Sequence, residues 1–278
     1  MELERLVREF GEALEDDVAT SPRTASFYRS DLRDFADFLR RERGIERIGD
    51  VKVGEVMAYR NYLLEGDRKR FTVYRKDAAV RRFLDWVRTS SEADYDFDPI
   101  EPVHQPLDQN IVTLDEEEAE QLLSFPLNTT ADLRDAVMVR LMLETGVTVG
   151  EIRGVLRSDV SLDAAQVNLG GPGSHLAPRT RKVSPETRDV IARYLEARED
   201  ETPELLVGRA ARPFTTSKSL QNALHKRCDQ TGLPPVSPMV LRHTFAVRLL
   251  RGGASLNDLK EAMGVRDTTN IGVYKKFV

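Results

Sequence analysis

Ser237-Pro238-Met239-Val240-Leu241-Arg242-His243-Thr244-Phe245-Ala246, with Met263-Gly264-Val265 further on and Tyr274 nine residues after Val265, is the stretch on which the reading of this 278-residue chain turns. Arg242 and His243 stand side by side at what reads as a helix start. Such a pair serves either as a hydrogen-bonding element of the fold or as a grip on an anion. Tyr274 likewise reads as an amphipathic residue or as a nucleophile, and a phenol with a pKa of ~10 needs assistance to attack anything.

The length suggests two domains, each long enough to bury its own core. With 40% hydrophobic and 31% charged residues the chain has the composition of a soluble globular protein. No apolar run approaches the ~20 residues that cross a bilayer. Met1-Glu2-Leu3-Glu4 lacks the basic and apolar regions of a signal peptide, so a cytoplasmic location is expected. The single cysteine, Cys228, excludes an internal disulfide framework and reads as a small buried hydrophobe. His104, His175 and His225 have no ligand spacing, and neither metal nor cofactor is expected.

The net charge of −5 disfavours a nucleic-acid binder only mildly, because its distribution is uneven. Residues 68–82 hold seven basic side chains (Arg68, Lys69, Arg70, Arg75, Lys76, Arg81 and Arg82) against one acidic, Asp77. Residues 89–120 hold eleven acidic side chains and no Lys or Arg. Such segregation permits a basic, phosphate-contacting face on an acidic chain.

Helical spacing marks four amphipathic segments in the first half. Leu3, Leu6, Val7, Phe10 and Leu14 form the first stripe, running to Val18. Ser21-Pro22-Arg23-Thr24 opens a second helix with Tyr28, Leu32, Phe35 and Leu39 on one side and Gly44 at its end. Val53, Val56, Met57 and Leu64 mark a third, closed by Gly66, and Val80, Phe83, Leu84 and Val87 a fourth over about 73–87. This is the pattern of a helical bundle. Residues 90–112, acidic and carrying Pro99, Pro102 and Pro106, read as a linker.

In the second half Leu114-Asp115-Glu116-Glu117-Glu118 starts a helix, its carboxylates suited to the positive end of the dipole. The apolar run 133–144 reads as a central core helix and leads into Thr145-Gly146-Val147-Thr148-Val149-Gly150-Glu151-Ile152. Val167-Asn168-Leu169 before Gly170-Gly171-Pro172-Gly173-Ser174 reads as a strand entering a tight turn. Arg179, Arg181 and Lys182 lie on the return strand, and Ser184-Pro185-Glu186 caps a helix running to Leu195.

Taken in this order the motifs resemble those of the tyrosine recombinases, or phage-type integrases, and among them the Xer-like members. Ser21, Thr24, Tyr28 and Asp31-Leu32-Arg33-Asp34-Phe35 resemble the start of that family's core-binding domain, and Phe83-Leu84-Asp85-Trp86-Val87 its aromatic helix. Leu241 to Ala246 and the interval from Val265 to Tyr274 resemble its C-terminal box. The resemblance implies a mainly α fold: a helical, SAM-like core-binding clamp over 1–89, the linker, and a catalytic-type domain with a small β-sheet over 113–278. It implies double-stranded DNA as partner, no membrane, and self-association or pairing with an active recombinase paralogue. The sequence ends four residues after Tyr274, where family members commonly continue into a helix that docks on a neighbour, so ring-like assembly is not expected.

The family's transesterification puts extra negative charge on a phosphate while a tyrosine oxygen attacks. Two guanidiniums stabilise that charge, a lysine protonates the leaving oxygen and a histidine assists the tyrosine. By motif, Arg242 and Tyr274 are retained, while the other four positions are Thr148, Pro172, Met239 and Val265. Arg68, Lys69, Arg70, Arg75, Lys76, Arg81, Arg82, Arg179, Arg181, Lys182 and His243 are the candidate DNA contacts. The expected function is DNA binding with strand cleavage impaired, in an accessory or regulatory role. The alternatives are an active recombinase completed by shifted residues such as Arg153, Arg179 or Lys182, and a scaffold that no longer binds DNA.

Overall fold

The computed structural model of the chain describes residues 1–17, 20, 22–66, 68–90, 101–102, 111–171, 174, 176–265, 268 and 271–277. Two compact units divide it, residues 1–109 and 110–278.

In the first unit the apolar stripes become four packed helices: α1 (Leu3–Asp16), α2 (Pro22–Arg43), α3 (Val53–Glu65) and α4 (Arg70–Ser90). Helix α2 stops where Gly44 takes a φ of +67°, a conformation that only glycine adopts without strain. Phe10 packs edge-on against Phe83 at 5.7 Å and against Trp86 at 5.5 Å, tying α1 to α4. Tyr59 of α3 meets Phe35 and Phe38 of α2 at 5.0 and 5.3 Å.

The third stripe differs from the one expected. Helix α3 buries Val56, Tyr59, Arg60 and Leu63, while Val53, Met57 and Leu64 are exposed. Tyr59 fills the aromatic seam, and Arg60 is admitted to the buried face because Asp77 accepts from its Nε at 2.5 Å. Helix α4 also begins earlier than expected, at Arg70. Most of the segment 90–112 lies outside the described residues. Of its described part, the Glu101 carbonyl accepts from Arg60 at 2.7 Å and Ile111 is buried in the second unit.

The second unit is built on α6 (Thr130–Thr145), whose middle is buried almost all round. Around it pack α5 (Glu116–Leu123), α8 (Pro185–Glu196), α9 (Ser217–Thr231) and α10 (Pro238–Arg251). Capping boxes fix the starts of α5, through Asp115 and Glu118, and of α6, through Thr129 and Asp132. The one-turn helix α7 (Val149–Ile152) follows α6 directly. Strands β1 (Val160–Ser161), β2 (Gln166–Leu169) and β3 (Arg179–Lys182) form an antiparallel sheet in the order β1-β2-β3. Since Leu169 pairs with Arg179, the connection spans 170–178 and is not the tight turn expected at the glycines. Pro172, Gly173 and His175 lie outside the described residues, as does His104.

A smaller core joins Phe245, Ala246 and Leu250 of α10 to Leu259, Ala262 and Met263 of α11 (Leu256–Met263). It includes Tyr274, on a 3₁₀ turn over Gly272–Phe277. Cys228 is fully buried, as its reading as a small hydrophobe requires. Among the described residues no helix is long and apolar enough to cross a membrane.

Candidate functional site

Ser237 and Pro238 start α10 and leave Arg242 facing inward one turn later. Its guanidinium is buried and reaches the ends of two helices. One Nη donates to the carbonyl of Gly146 at the close of α6, and the other to that of Met263 at the close of α11, at 3.1 Å. Both are the negative ends of helix dipoles, where a cation is favoured. Burial lowers the Arg242 pKa to about 10, and the nearby Arg179 charge works the same way, while Glu151 and Tyr274 oppose it.

Gly146 is a glycine for two reasons: its φ is +64°, and a Cβ there would lie 2.3 Å from the Phe245 ring. The next residues fold into α7, where Thr148 accepts a hydrogen bond from the Glu151 amide at 3.1 Å. In return Glu151 Oε2 accepts from the Thr148 amide at 3.0 Å and hydroxyl at 3.1 Å. The residue at the motif's arginine position is thus a helix cap.

Glu151 is the hinge of the cluster. Arg179, at the start of β3, donates to Oε1 at 2.6 Å and to Oε2 at 3.2 Å, and its Nε donates to the Ala262 carbonyl at 2.9 Å. The two side chains are only 6% and 3% exposed. Arg242 approaches the same carboxylate at 3.9 Å. Burial alone would push the Glu151 carboxyl up, but the Arg179 hydrogen bonds, the Thr148 amide and the two guanidinium charges hold it below the usual range. Gly264 makes room here, since a Cβ at its φ of +67° would sit 2.7 Å from an Arg179 nitrogen.

The fourth member is a pair. The Tyr274 hydroxyl lies 2.6 Å from His243 Nδ1. Burial raises the Tyr274 pKa to about 12, with Arg242 pulling the other way. Burial lowers the pKa of His243, and the Arg242 charge lowers it further. A neutral imidazole accepting from a neutral phenol fits both shifts.

The remaining motif positions add no donor. Met239 is half exposed on the first turn of α10, and Val265 packs on the smaller core. Of the residues considered as substitutes, Arg153 donates to the Phe214 and Thr215 carbonyls at 2.9 and 2.8 Å. Lys182 is exposed on the face of β3 opposite Arg179 and Arg181. Arg179 alone joins the cluster. Its role was hidden in the sequence because it depends on β3 closing against α7. The Thr148-x-x-Glu151 spacing of a capping box was the only local sign that Glu151 mattered.

The seven basic residues of the stretch 68–82 separate into two groups. Arg68, Lys69 and Arg70 are exposed. Arg75 is paired with Asp31 and stacked 4.9 Å over Phe27, Arg81 donates to Asp77 at 2.9 Å, and Arg82 to Asp17 at 2.8 Å. Lys76 is buried between Asp31 at 3.1 Å and Asp34 at 2.5 Å. The expected phosphate contact by Lys76 is therefore corrected: its ammonium belongs to an internal ion cluster.

The phage integrase family model matches residues 112–277, and the model of the phage integrase N-terminal SAM-like domain matches residues 7–90. The chain belongs to the phage integrase family. The tyrosine recombinase XerC of Oceanobacillus iheyensis is 27% identical over 283 residues, covering 98% of this chain and 92% of that protein. XerC of Corynebacterium glutamicum is 25% identical over 98% of the chain and 87% of that protein. Among solved structures, the Tn1549 transposon integrase in complex with transposon right end DNA has a TM-score of 0.73 at 17% identity, covering 99% of this chain and 95% of that one. The XerH site-specific recombinase bound to palindromic difH substrate has a TM-score of 0.72 at 16% identity, covering 90% and 75%. This tyrosine recombinase fold thus runs over nearly the whole chain.

Proposed function

We propose that this integrase-family protein binds duplex DNA and cleaves it slowly or not at all on its own, acting as an accessory or regulatory factor on the nucleoid. Its partner is an active recombinase paralogue or a second copy. Residues 1–89 serve as the clamp, 90–112 as the linker and 113–278 as the catalytic-type domain, a division supported by the two family matches. DNA complexes among the structural neighbours support duplex DNA as the ligand. Within the basic stretch 68–82, Arg68, Lys69 and Arg70 are exposed and are the cations this reading offers to phosphate.

The observation that carries impaired cleavage lies at position 148. Thr148 caps a helix, and the guanidinium that joins Arg242, from Arg179, is already neutralised by Glu151. Losing one preorganised donor to the developing charge typically costs ~10²–10³ in rate. A phenol raised to about 12, with Pro172 at the motif's lysine position, adds to that loss.

A second reading, an active recombinase, is favoured by one specific contact, the 2.6 Å approach of His243 to Tyr274. A nicked duplex that traps the covalent intermediate separates the two. No phosphotyrosyl adduct above the Tyr274→Phe background is expected. An adduct formed by the wild type and abolished by Tyr274→Phe makes the protein an enzyme.

A further inference from the structure

Strand β3 places Arg179 and Arg181 two residues apart, hence on one face of the sheet. Their environments differ. Arg179 is fully matched by Glu151 and the Ala262 carbonyl. Arg181 lies half-buried opposite Val167, its guanidinium 5.5 Å over the ring of Phe245. Its Nε is buried without a hydrogen-bond partner. Among the described residues the ion pairs of Arg179 and Arg242 both go to Glu151, and Arg181 has none. Phe245 stands three residues after Arg242 on α10 and packs on Gly146, whose carbonyl Arg242 holds. Three guanidiniums therefore stand in one neighbourhood, and its ion-paired carboxylate, Glu151, is taken by two of them.

An uncompensated, partly desolvated cation is costly unless a ligand supplies its counter-charge. A planar guanidinium backed by an aromatic ring presents its outer nitrogens as a fork that matches a phosphate. We propose that Arg181 is a phosphate-contacting residue of this site, its outer nitrogens taking a backbone phosphate of bound DNA beside Arg242. Arg179 is its positioning neighbour, holding Glu151 so that this carboxylate does not neutralise Arg181. The depressed pKa of Arg181, caused by burial and then by the Arg179 charge, is what a cation short of an anion shows. The proposal rests on the DNA-binding reading above.

The test compares wild type, Arg181→Gln and Arg181→Lys in equilibrium binding to a duplex oligonucleotide across a salt series, with thermal melting alongside. Each phosphate contact contributes about −0.9 to the slope of log K against log salt. Arg181→Gln is expected to make that slope shallower by about 0.9 and to melt no lower than wild type, and Arg181→Lys to restore the slope. An unchanged slope with a lower melting temperature makes Arg181 a packing residue and overturns the inference. Inorganic phosphate separates this failure from failure of the DNA reading. At matched ionic strength, phosphate should raise the wild-type melting temperature above its value in chloride, and should do so less in Arg181→Gln. If that difference is seen while the wild type shows no salt-dependent duplex binding, the DNA reading falls and the anion site stands. If the wild type binds duplex and Arg181→Gln matches it in slope and phosphate response, the inference alone falls.

Discussion

A hydroxyl and an imidazole 2.6 Å apart, each shifted by burial, make the stability of this fold depend on pH at both ends of the scale. His243 has its folded pKa lowered from an unfolded value near 6.5. Its contribution is therefore complete above that value and is lost as pH falls through the folded one. Tyr274 is raised to about 12 from an ordinary value near 10, so its contribution is present below pH ~10 and is lost as pH rises toward 12. His243→Gln should flatten the acid limb of a melting-temperature profile taken below about pH 6.5, and Tyr274→Phe the alkaline limb. Limbs that keep their wild-type steepness in these variants would mean that the pair does not titrate as its surroundings require. Gly146 is a residue whose identity is forced by its φ of +64° and a ring 2.3 Å from any Cβ. Gly146→Ala combines a left-handed backbone with overpacking and should cost about 2–4 kcal/mol in urea unfolding. A loss under about 1 kcal/mol would mean that Phe245 moves aside freely.

At the level of elements, the Glu151–Arg179 pair joins α7 to β3, beside the bonds that tie Ala177 and Arg179 to the end of α11. Breaking a buried pair from one side costs more than the pair is worth, because the remaining charge has no partner. Glu151→Gln should destabilise the protein by about 3–5 kcal/mol in urea unfolding. It should also remove the loss of stability seen as pH falls through the lowered carboxyl pKa. A near-neutral effect would show that the Ala262 and Met263 carbonyls are enough to hold Arg179 and Arg242. Most elements were legible in advance because their boundaries are written locally: the stripe of α1, the Gly44 stop of α2, the Ser184 cap of α8. Helix α3 was misread because hydrophobicity alone selected Met57 and Leu64, while the buried face admits Arg60, whose partner Asp77 lies on α4. The cluster was legible only where it follows a motif. Arg242 and Tyr274 could be picked out by spacing, but the closure of β3 on α7 and α11 is tertiary and leaves no periodic trace.

For the whole molecule, a net charge of −5 and DNA binding are compatible only if the free cations are separated from those the fold has already used. The first unit makes that separation within one stretch of sequence. Arg68, Lys69 and Arg70 are exposed at the entry to α4, whereas Arg75 and Lys76 neutralise the buried Asp31. Charge reversal should therefore have opposite consequences at sites only a few residues apart. Arg68→Glu with Arg70→Glu should weaken duplex binding and make the salt slope shallower by about 1.8, two contacts' worth, with the melting temperature unchanged. Arg75→Glu faces Asp31, a carboxylate 1% exposed, and should lower the melting temperature sharply because like charges then meet in the bundle. If Arg75→Glu weakened binding at an unaltered melting temperature while the double reversal left binding intact, the basic stretch would grip DNA through its paired arginines, and its exposed ones would be solvated surface.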